Sequence, residues 1–172
     1  MYKRHNINKK AYIIIRGIDM GKFKKILFFL FVLAIFMVPG FIFSKNTDFY
    51  KEINKPIFAP PGIVFSIVWA GLYTLQAYYI TKVYFEYNDK EGKKLLIILS
   101  INALANILYT PVFFVLKSTF GGFIISLITL VTVVLIVYKS KIIDIKEWYL
   151  EIPYLLWSIF ALILSISIYL MN

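Results

Sequence analysis

The chain has 172 residues, of which 60% are hydrophobic and 16% are charged, and it carries a net charge of +10 with no cysteine. A soluble domain averages about 45–50% apolar and about 25% charged residues, so this composition excludes an ordinary soluble domain and is typical of an integral membrane protein. The lack of cysteine excludes disulfides, thiolate nucleophiles and thiolate metal sites.

A basic N-terminal arm, residues 1–19, precedes the apolar part of the chain and holds its single histidine, His5. A histidine-based metal site or proton relay within the membrane is therefore not expected. Met20 comes directly before the first apolar segment, so it is a candidate for the true start of the protein. We expect residues 20–172 to form one membrane domain.

Five apolar segments are long enough to cross a bilayer, which takes about 20 residues for about 30 Å of hydrocarbon. Because backbone polar groups in lipid need internal partners, each segment is predicted to be a helix. The predicted fold class is therefore an all-α membrane protein, a bundle of five transmembrane helices. The short loops after the second, third and fourth segments predict antiparallel neighbours. The predicted spans are 26–43, 63–85, 95–116, 120–138 and 148–170.

The positive charges predict the orientation of this bundle. Of the 19 Lys and Arg residues, 15 lie on the side of the N-terminus and four on the other side. Because cytoplasmic loops carry the excess of Lys and Arg, we expect a multi-pass protein of the cell membrane with a cytoplasmic N-terminus. Since the charges flank the spans, the lipid bilayer is the expected partner, and nucleic acid is not.

The segment between the first two spans, roughly 44–61, is long for a small bundle and rich in aromatic residues and proline. Loops of this length are commonly binding loops, so we expect Phe58, Pro60 and Pro61 to belong to a lid. A mobile linker is the alternative. Three lysines of this segment either hold acidic ligand groups or are solvated loop charges: Lys45, Lys51 and Lys55, with Lys117 on the same side.

Aromatic and polar side chains recur at intervals of three or four residues in three spans, which places each set on one helix face. The sets are Phe65, Trp69 and Tyr73; Asn102, Asn106, Tyr109 and Phe113; and Tyr154, Trp157, Ala161 and Ser165. Aromatic walls with a few convergent polar groups are typical of a ligand pocket. The alternatives are hydrogen bonds between helices for the amides and core packing for the rings.

Four local patterns predict helix geometry. Pro39 is expected to kink or end the first helix, and Pro111 to bend the third. Residues 144–147 read Asp-Ile-Lys-Glu, which is similar to a capping box that would open the fifth helix. Gly122 and Ser126 form a small-xxx-small pair, which indicates either a helix–helix contact or a dimer face.

Ionisable side chains lie only near the ends of the predicted spans, as Glu86, Lys117 and Glu151 do. Pumps and ion channels normally carry such a group within the membrane, and general acid–base catalysis needs a positioned titrating group. A conventional hydrolase or transferase is therefore not expected, and neither is a metal or cofactor. The sequence has no convincing internal repeat of the kind found in many transporters.

Several motifs in this order resemble the TspO/MBR family, the tryptophan-rich sensory proteins and the translocator protein formerly called the peripheral benzodiazepine receptor. The similarity runs from about residue 39 to the end of the chain. The matching residues are Val38-Pro39-Gly40, Tyr50, Lys55-Pro56, Pro60-Pro61, Phe65, Trp69, Leu72-Tyr73, Asn106, Pro111, Phe113-Phe114, Pro153-Tyr154-Leu155-Leu156-Trp157 and Phe160-Ala161. Departures from the family pattern are Phe58 and Tyr109 in place of Trp, Asn102 in place of Gln, and Ser165 in place of Asn.

The resemblance implies a five-helix bundle, often dimeric, that binds porphyrins, haem, sterols or synthetic aromatic ligands. We therefore expect a membrane binding protein for tetrapyrroles such as protoporphyrin or haem, or similar flat apolar molecules, with a sensory, regulatory or transport-linked role. The oligomeric state stays open, with a homodimer as one candidate. The motifs and the face patterns together give these ligand-binding candidates: Tyr50, Phe65, Trp69, Tyr73, Asn102, Asn106, Tyr109, Phe113, Tyr154, Trp157 and Ala161.

An enzymatic role is the alternative function. Some bacterial members of the family are reported to degrade protoporphyrin under light through tryptophans of the pocket, and the resemblance assigns that role here to Trp69 and Trp157. The sequence leaves transport, sensing and degradation undecided.

Overall fold

The computed structural model describes residues 20–43 and 48–172, and within them the chain is helical without strands. The basic arm 1–19 and Lys45 lie outside the described residues. Five of the helices are long and apolar enough to span a membrane, which confirms the predicted fold class. The helices are α1 (Met20–Ile42), α2 (Asp48–Glu52), α3 (Gly62–Glu86), α4 (Lys90–Thr110), α5 (Thr119–Ile142) and α6 (Ile152–Met171).

Side-chain caps fix the starts of two helices. The Asp89 carboxylate accepts a hydrogen bond from the Gly92 N–H at 2.8 Å, and the Ser118 hydroxyl oxygen accepts one from the Gly121 N–H at 3.0 Å. Each cap satisfies a backbone donor that the first helical turn leaves free. Pro61 directly precedes α3, where a backbone N–H would have no acceptor within the helix. The missing N–H of proline therefore loses no helical hydrogen bond.

The local geometry corrects one prediction and refines two others. The capping box at 144–147 is wrong: Asp144 adopts a left-handed conformation with φ of 55°, and Glu147 caps without a side-chain bond. A 3-10 turn, Trp148–Glu151, then leads into α6. Pro39 lies inside α1, which continues to Ile42. From Pro111 the regular α4 gives way to a π-helical turn ending at Val115, because proline cannot donate to the ladder.

The packing places α5 at the centre of the bundle, between α4 and α6, while α1 packs against α3 and α4. Gly122 lets α5 approach the π-helical turn after α4 closely, since a Cβ at this position would lie 2.6 Å from Cδ2 of Phe113. Ser126, one turn further on, hydrogen-bonds Ser165 of α6 at 2.8 Å. The small-xxx-small pair is therefore a contact between helices of one chain.

Candidate ligand-binding site

A cavity of about 550 Å³ lies among α1, α3, α4, α5 and α6, within the usual size range of small-molecule sites. Its wall combines aromatic rings with amide and hydroxyl groups, and the residues that line it include none with a charge. The structure brings eight of the eleven sequence-derived ligand-binding candidates to this wall: Tyr50, Phe65, Trp69, Tyr73, Asn106, Tyr109, Phe113 and Ala161.

Two aromatic pairs on neighbouring helices form much of the wall. On α3 the rings of Trp69 and Tyr73 lie 5.3 Å apart and are tilted by 33°, because residues four apart are neighbours on one helix face. On α4 and its π-helical turn the rings of Tyr109 and Phe113 are parallel to within 12° at 5.5 Å. Phe36 of α1 stacks on Tyr73 at 5.0 Å and holds that ring in place. The cavity therefore offers flat apolar surfaces on two helices.

Trp157 lies one layer behind the wall. Its ring meets Trp69 edge-on with centroids 6.5 Å apart, and it meets Phe65 in the same way at 5.8 Å. Its indole Nε1 is buried and has no acceptor within the described part of the chain. The two indoles thus share a cluster, with Trp69 facing the cavity and Trp157 supporting it.

An amide and phenol network holds the wall together behind Asn106. Asn106 Nδ2 donates to the Asn102 carbonyl at 2.8 Å and lies 2.6 Å from the Tyr154 hydroxyl, which donates to Asn102 Oδ1 at 2.8 Å. Asn102 Nδ2 donates to Thr132 Oγ1 at 2.7 Å and so ties α4 to α5. Asn102 and Tyr154 therefore serve helix packing, the alternative that the sequence left open, and neither lines the cavity.

Asn106 differs from these two residues because it also lines the cavity. Its Nδ2 group is committed to the network, whereas its Oδ1 makes no hydrogen bond within the described residues. The network fixes the orientation of this amide. Asn106 therefore lines the cavity with its amide oriented by the network and its acceptor oxygen unused.

The described part of the loop between α1 and α3 packs against the bundle beside the cavity. Tyr50 lines the cavity, its ring meets Phe65 at 6.0 Å, and its hydroxyl donates to the Pro60 carbonyl at 3.2 Å. Burial raises the pKa of the Tyr50 phenol, which keeps this donor protonated. Phe58 rests on Phe160 at 6.3 Å. Phe58, Pro60 and Pro61 do not line the cavity themselves.

The three described lysines of this side, Lys51, Lys55 and Lys117, already have partners. Lys51 donates to Asp48 at 2.8 Å, and this bond lowers the pKa of the Asp48 carboxyl and raises that of Lys51. Lys117 lies 3.7 Å from Glu52, and the Lys55 ammonium donates to the Tyr50 carbonyl. These cations therefore stand outside the cavity with local partners of their own.

Sequence reasoning missed several residues of the wall. Phe36, Met37 and Gly40 come from α1, whose uniformly apolar sequence does not indicate which helix face points into the bundle. Ser158 and Thr129 also line the cavity. Hydroxyl residues inside otherwise apolar spans were the available signal, because polar groups in lipid normally face the bundle interior.

The geometry defines a class first: a multi-pass helical membrane protein with an aromatic, uncharged cavity inside the bundle. The model of the TspO/MBR family matches residues 27–170 of this chain. The chain therefore belongs to the TspO/MBR family, as the motifs indicated.

Relatives of this chain occur in bacteria and archaea. The tryptophan-rich protein TspO of Bacillus cereus is 32% identical over 154 residues, covering 89% of this chain and 99% of that protein. The tryptophan-rich protein TspO of Archaeoglobus fulgidus is 31% identical over 161 residues, with the same coverage of both chains. A Bacillus subtilis membrane protein, YtaB, is 29% identical and covers 84% of this chain and 93% of its own.

Proposed function

We propose that this protein is a membrane-embedded binding protein for flat apolar ligands of the tetrapyrrole kind, such as protoporphyrin or haem. The cavity itself carries the proposal: aromatic rings of α3 and α4 line a space of about 550 Å³ with an oriented amide oxygen on its wall. The rings provide stacking surfaces for a macrocycle, and Asn106 Oδ1 provides an acceptor for a pyrrole N–H.

The expected affinity follows from the aromatic contacts. Each stacked or edge-to-face pair contributes about 0.5–1.5 kcal/mol beyond the burial of apolar area. Three or four such pairs, with burial of the macrocycle, support a dissociation constant near micromolar, or about −8 kcal/mol. Binding of this strength suits a sensory, regulatory or transport-linked role in which the ligand is released again.

Tryptophan fluorescence tests this function directly, because the three tryptophans stand in different places. Trp69 lines the cavity, whereas Trp148 lies under the Lys141 ammonium at 4.0 Å, outside the cavity wall. Titration of the detergent-solubilised protein with protoporphyrin is expected to quench the emission. Trp69→Leu is expected to weaken binding about tenfold or more, since it removes a stacking surface.

Trp148→Leu is the matched control. It removes an emitter outside the cavity wall, so the quenched fraction should rise while the dissociation constant stays unchanged. If Trp69→Leu binds protoporphyrin as tightly as the Trp148→Leu control, the cavity is not the binding site and the proposal fails.

Light-driven degradation of a bound porphyrin is the second candidate. The observation that favours it is the contact of Trp69 with Trp157, an edge-on indole pair with one member on the cavity wall. Illumination of the porphyrin complex in air should then bleach the porphyrin absorbance. The combined substitution of Trp69→Phe and Trp157→Phe should abolish bleaching, and an unchanged rate would exclude indole chemistry.

A further inference from the structure

Hydroxyl groups from three helices meet on one part of the cavity wall. We call Tyr109, Ser126, Thr129 and Ser165 the hydroxyl cluster, and all four line the cavity. The Oγ atoms of Ser126 and Ser165 lie 2.8 Å apart. The cluster is the polar counterpart of the aromatic wall.

Most other Ser and Thr hydroxyls of the helices donate a hydrogen bond to a backbone carbonyl of their own helix. Ser and Thr residues commonly donate to the carbonyl oxygen four residues earlier, which satisfies the hydroxyl locally. The residues that do so are Ser66, Thr74, Thr81, Ser100, Thr132, Ser140, Ser158 and Ser167. Within the described residues, Ser126, Thr129 and Ser165 make no such bond to their own helix, and the Ser126–Ser165 contact needs only one of their three hydrogens.

A count of donor hydrogens shows that the cluster lacks a hydrogen-bond acceptor. Each hydroxyl has one hydrogen to donate and lone pairs to accept. The four hydroxyls of the cluster bring four hydrogens, and the Ser126–Ser165 contact uses one of them. At least one donor hydrogen therefore remains without an acceptor, and buried donors normally have one.

The charge of the missing acceptor follows from the surroundings. The residues that line the cavity include no Lys, Arg or His. A carboxylate placed here would lose its hydration without gaining a counter-charge, which is costly, whereas a neutral carbonyl loses much less. The cluster therefore matches an uncharged oxygen acceptor.

We propose that the hydroxyl cluster is a subsite for an uncharged carbonyl or ether oxygen, and that the cavity selects flat apolar ligands carrying such a group over those carrying a free carboxylate at this point. This inference deepens the proposed function and rests on it. The preferred ligands are then flat macrocycles or polycycles that place an uncharged ester, ketone or aldehyde oxygen at this cluster.

Three porphyrins that differ only at the periphery test the subsite: protoporphyrin, its dimethyl ester, and etioporphyrin, which carries alkyl groups and no oxygen. Each is titrated against the wild type and the double variant Ser126→Ala with Ser165→Ala. The ratio of the two dissociation constants cancels the partitioning of each porphyrin into detergent. For the ester we expect the variant to lose about 5- to 10-fold in affinity, the effect of one or two hydrogen bonds. For etioporphyrin and the diacid we expect less than about twofold.

Ser167→Ala is the matched control, because Ser167 is on the same helix and donates to the Ile163 carbonyl. It should leave all three affinities unchanged, and circular dichroism of the variants checks the fold. An equal loss for all three porphyrins, or no loss for the ester, overturns the subsite while leaving the proposed function in place. If no porphyrin quenches the wild type, the proposed function fails and the subsite with it.

Discussion

The burial of Glu151 is a feature of a single residue that the sequence did not predict. The sequence placed it at a helix end, where a carboxylate is normally solvated, yet only 1% of its surface is exposed. Its Oε2 accepts a hydrogen bond from Gln76 Nε2 at 2.5 Å. Glu151 Oε1 and Gln76 Oε1 have no partner within the described part of the chain. Burial against α3 depends on how α6 is rotated and where it begins, and neither follows from hydropathy.

The Glu151–Gln76 pair gives a prediction about stability. Gln76→Leu leaves a buried carboxyl group without its one donor, and we expect a loss of about 2 kcal/mol in the free energy of unfolding. The combined replacement of Gln76 and Glu151 by Leu removes both polar groups and should restore most of that loss. Thermal unfolding in detergent measures both changes. Equal destabilisation by the single and the double variant would contradict this account.

Trp69 and Trp157 show the same limit on the functional side. Both lie on aromatic helix faces, as the spacing predicted, and the motifs assigned both to the pocket. The structure puts Trp69 on the wall and Trp157 behind it, at 6.5 Å between ring centroids. A small rotation of a helix decides whether a ring lies on the cavity wall or behind it. The spacing of residues along the sequence does not determine that rotation.

At the scale of elements, the loop between α1 and α3 is joined to the end of α6. The Asn54 N–H donates to Asn172 Oδ1 at 2.9 Å, and Asn172 Nδ2 donates back to the Asn54 carbonyl at 3.0 Å. Asn54 Nδ2 also donates to the Met171 carbonyl at 3.2 Å. The sequence predicted a lid from the length and the aromatic and proline content of this loop, but it gave no sign of this contact between residues more than a hundred positions apart.

Opening of this loop provides the second prediction. Asn172→Ala removes two of the three bonds, each contributing about 0.5–1.5 kcal/mol, so we expect the loop to open about 5- to 150-fold more often. Chymotrypsin cleavage after the exposed Phe58 should accelerate by a similar factor, because cleavage follows the population of the open form. Asn88→Ala, in the link between α3 and α4, is the control. An unchanged cleavage rate in Asn172→Ala would show that the bonds do not hold the loop.

For the whole molecule, composition and span length were sufficient to predict the architecture. The five predicted spans all appear, because about 20 apolar residues in lipid have few alternatives to a helix. The ends were less predictable: α4 begins at Lys90 rather than at 95, since a capped and charged first turn extends beyond the apolar run. The empty volume among the helices could not be read from the sequence, because it depends on how five rotations combine.

The orientation of the bundle is the third prediction, and the chain is suited to testing it because it has no cysteine. Ile57→Cys places one thiol at a fully exposed position of the loop between α1 and α3, and Lys146→Cys places one on the opposite side. The excess of Lys and Arg on the side of Lys146 predicts that this side is cytoplasmic. A membrane-impermeant maleimide added to intact cells should therefore label the Ile57→Cys variant at once and the Lys146→Cys variant only after permeabilisation. The reverse pattern would place the loop between α1 and α3 in the cytoplasm and contradict the charge argument. Labelling of both variants in intact cells would show that the protein inserts in two orientations.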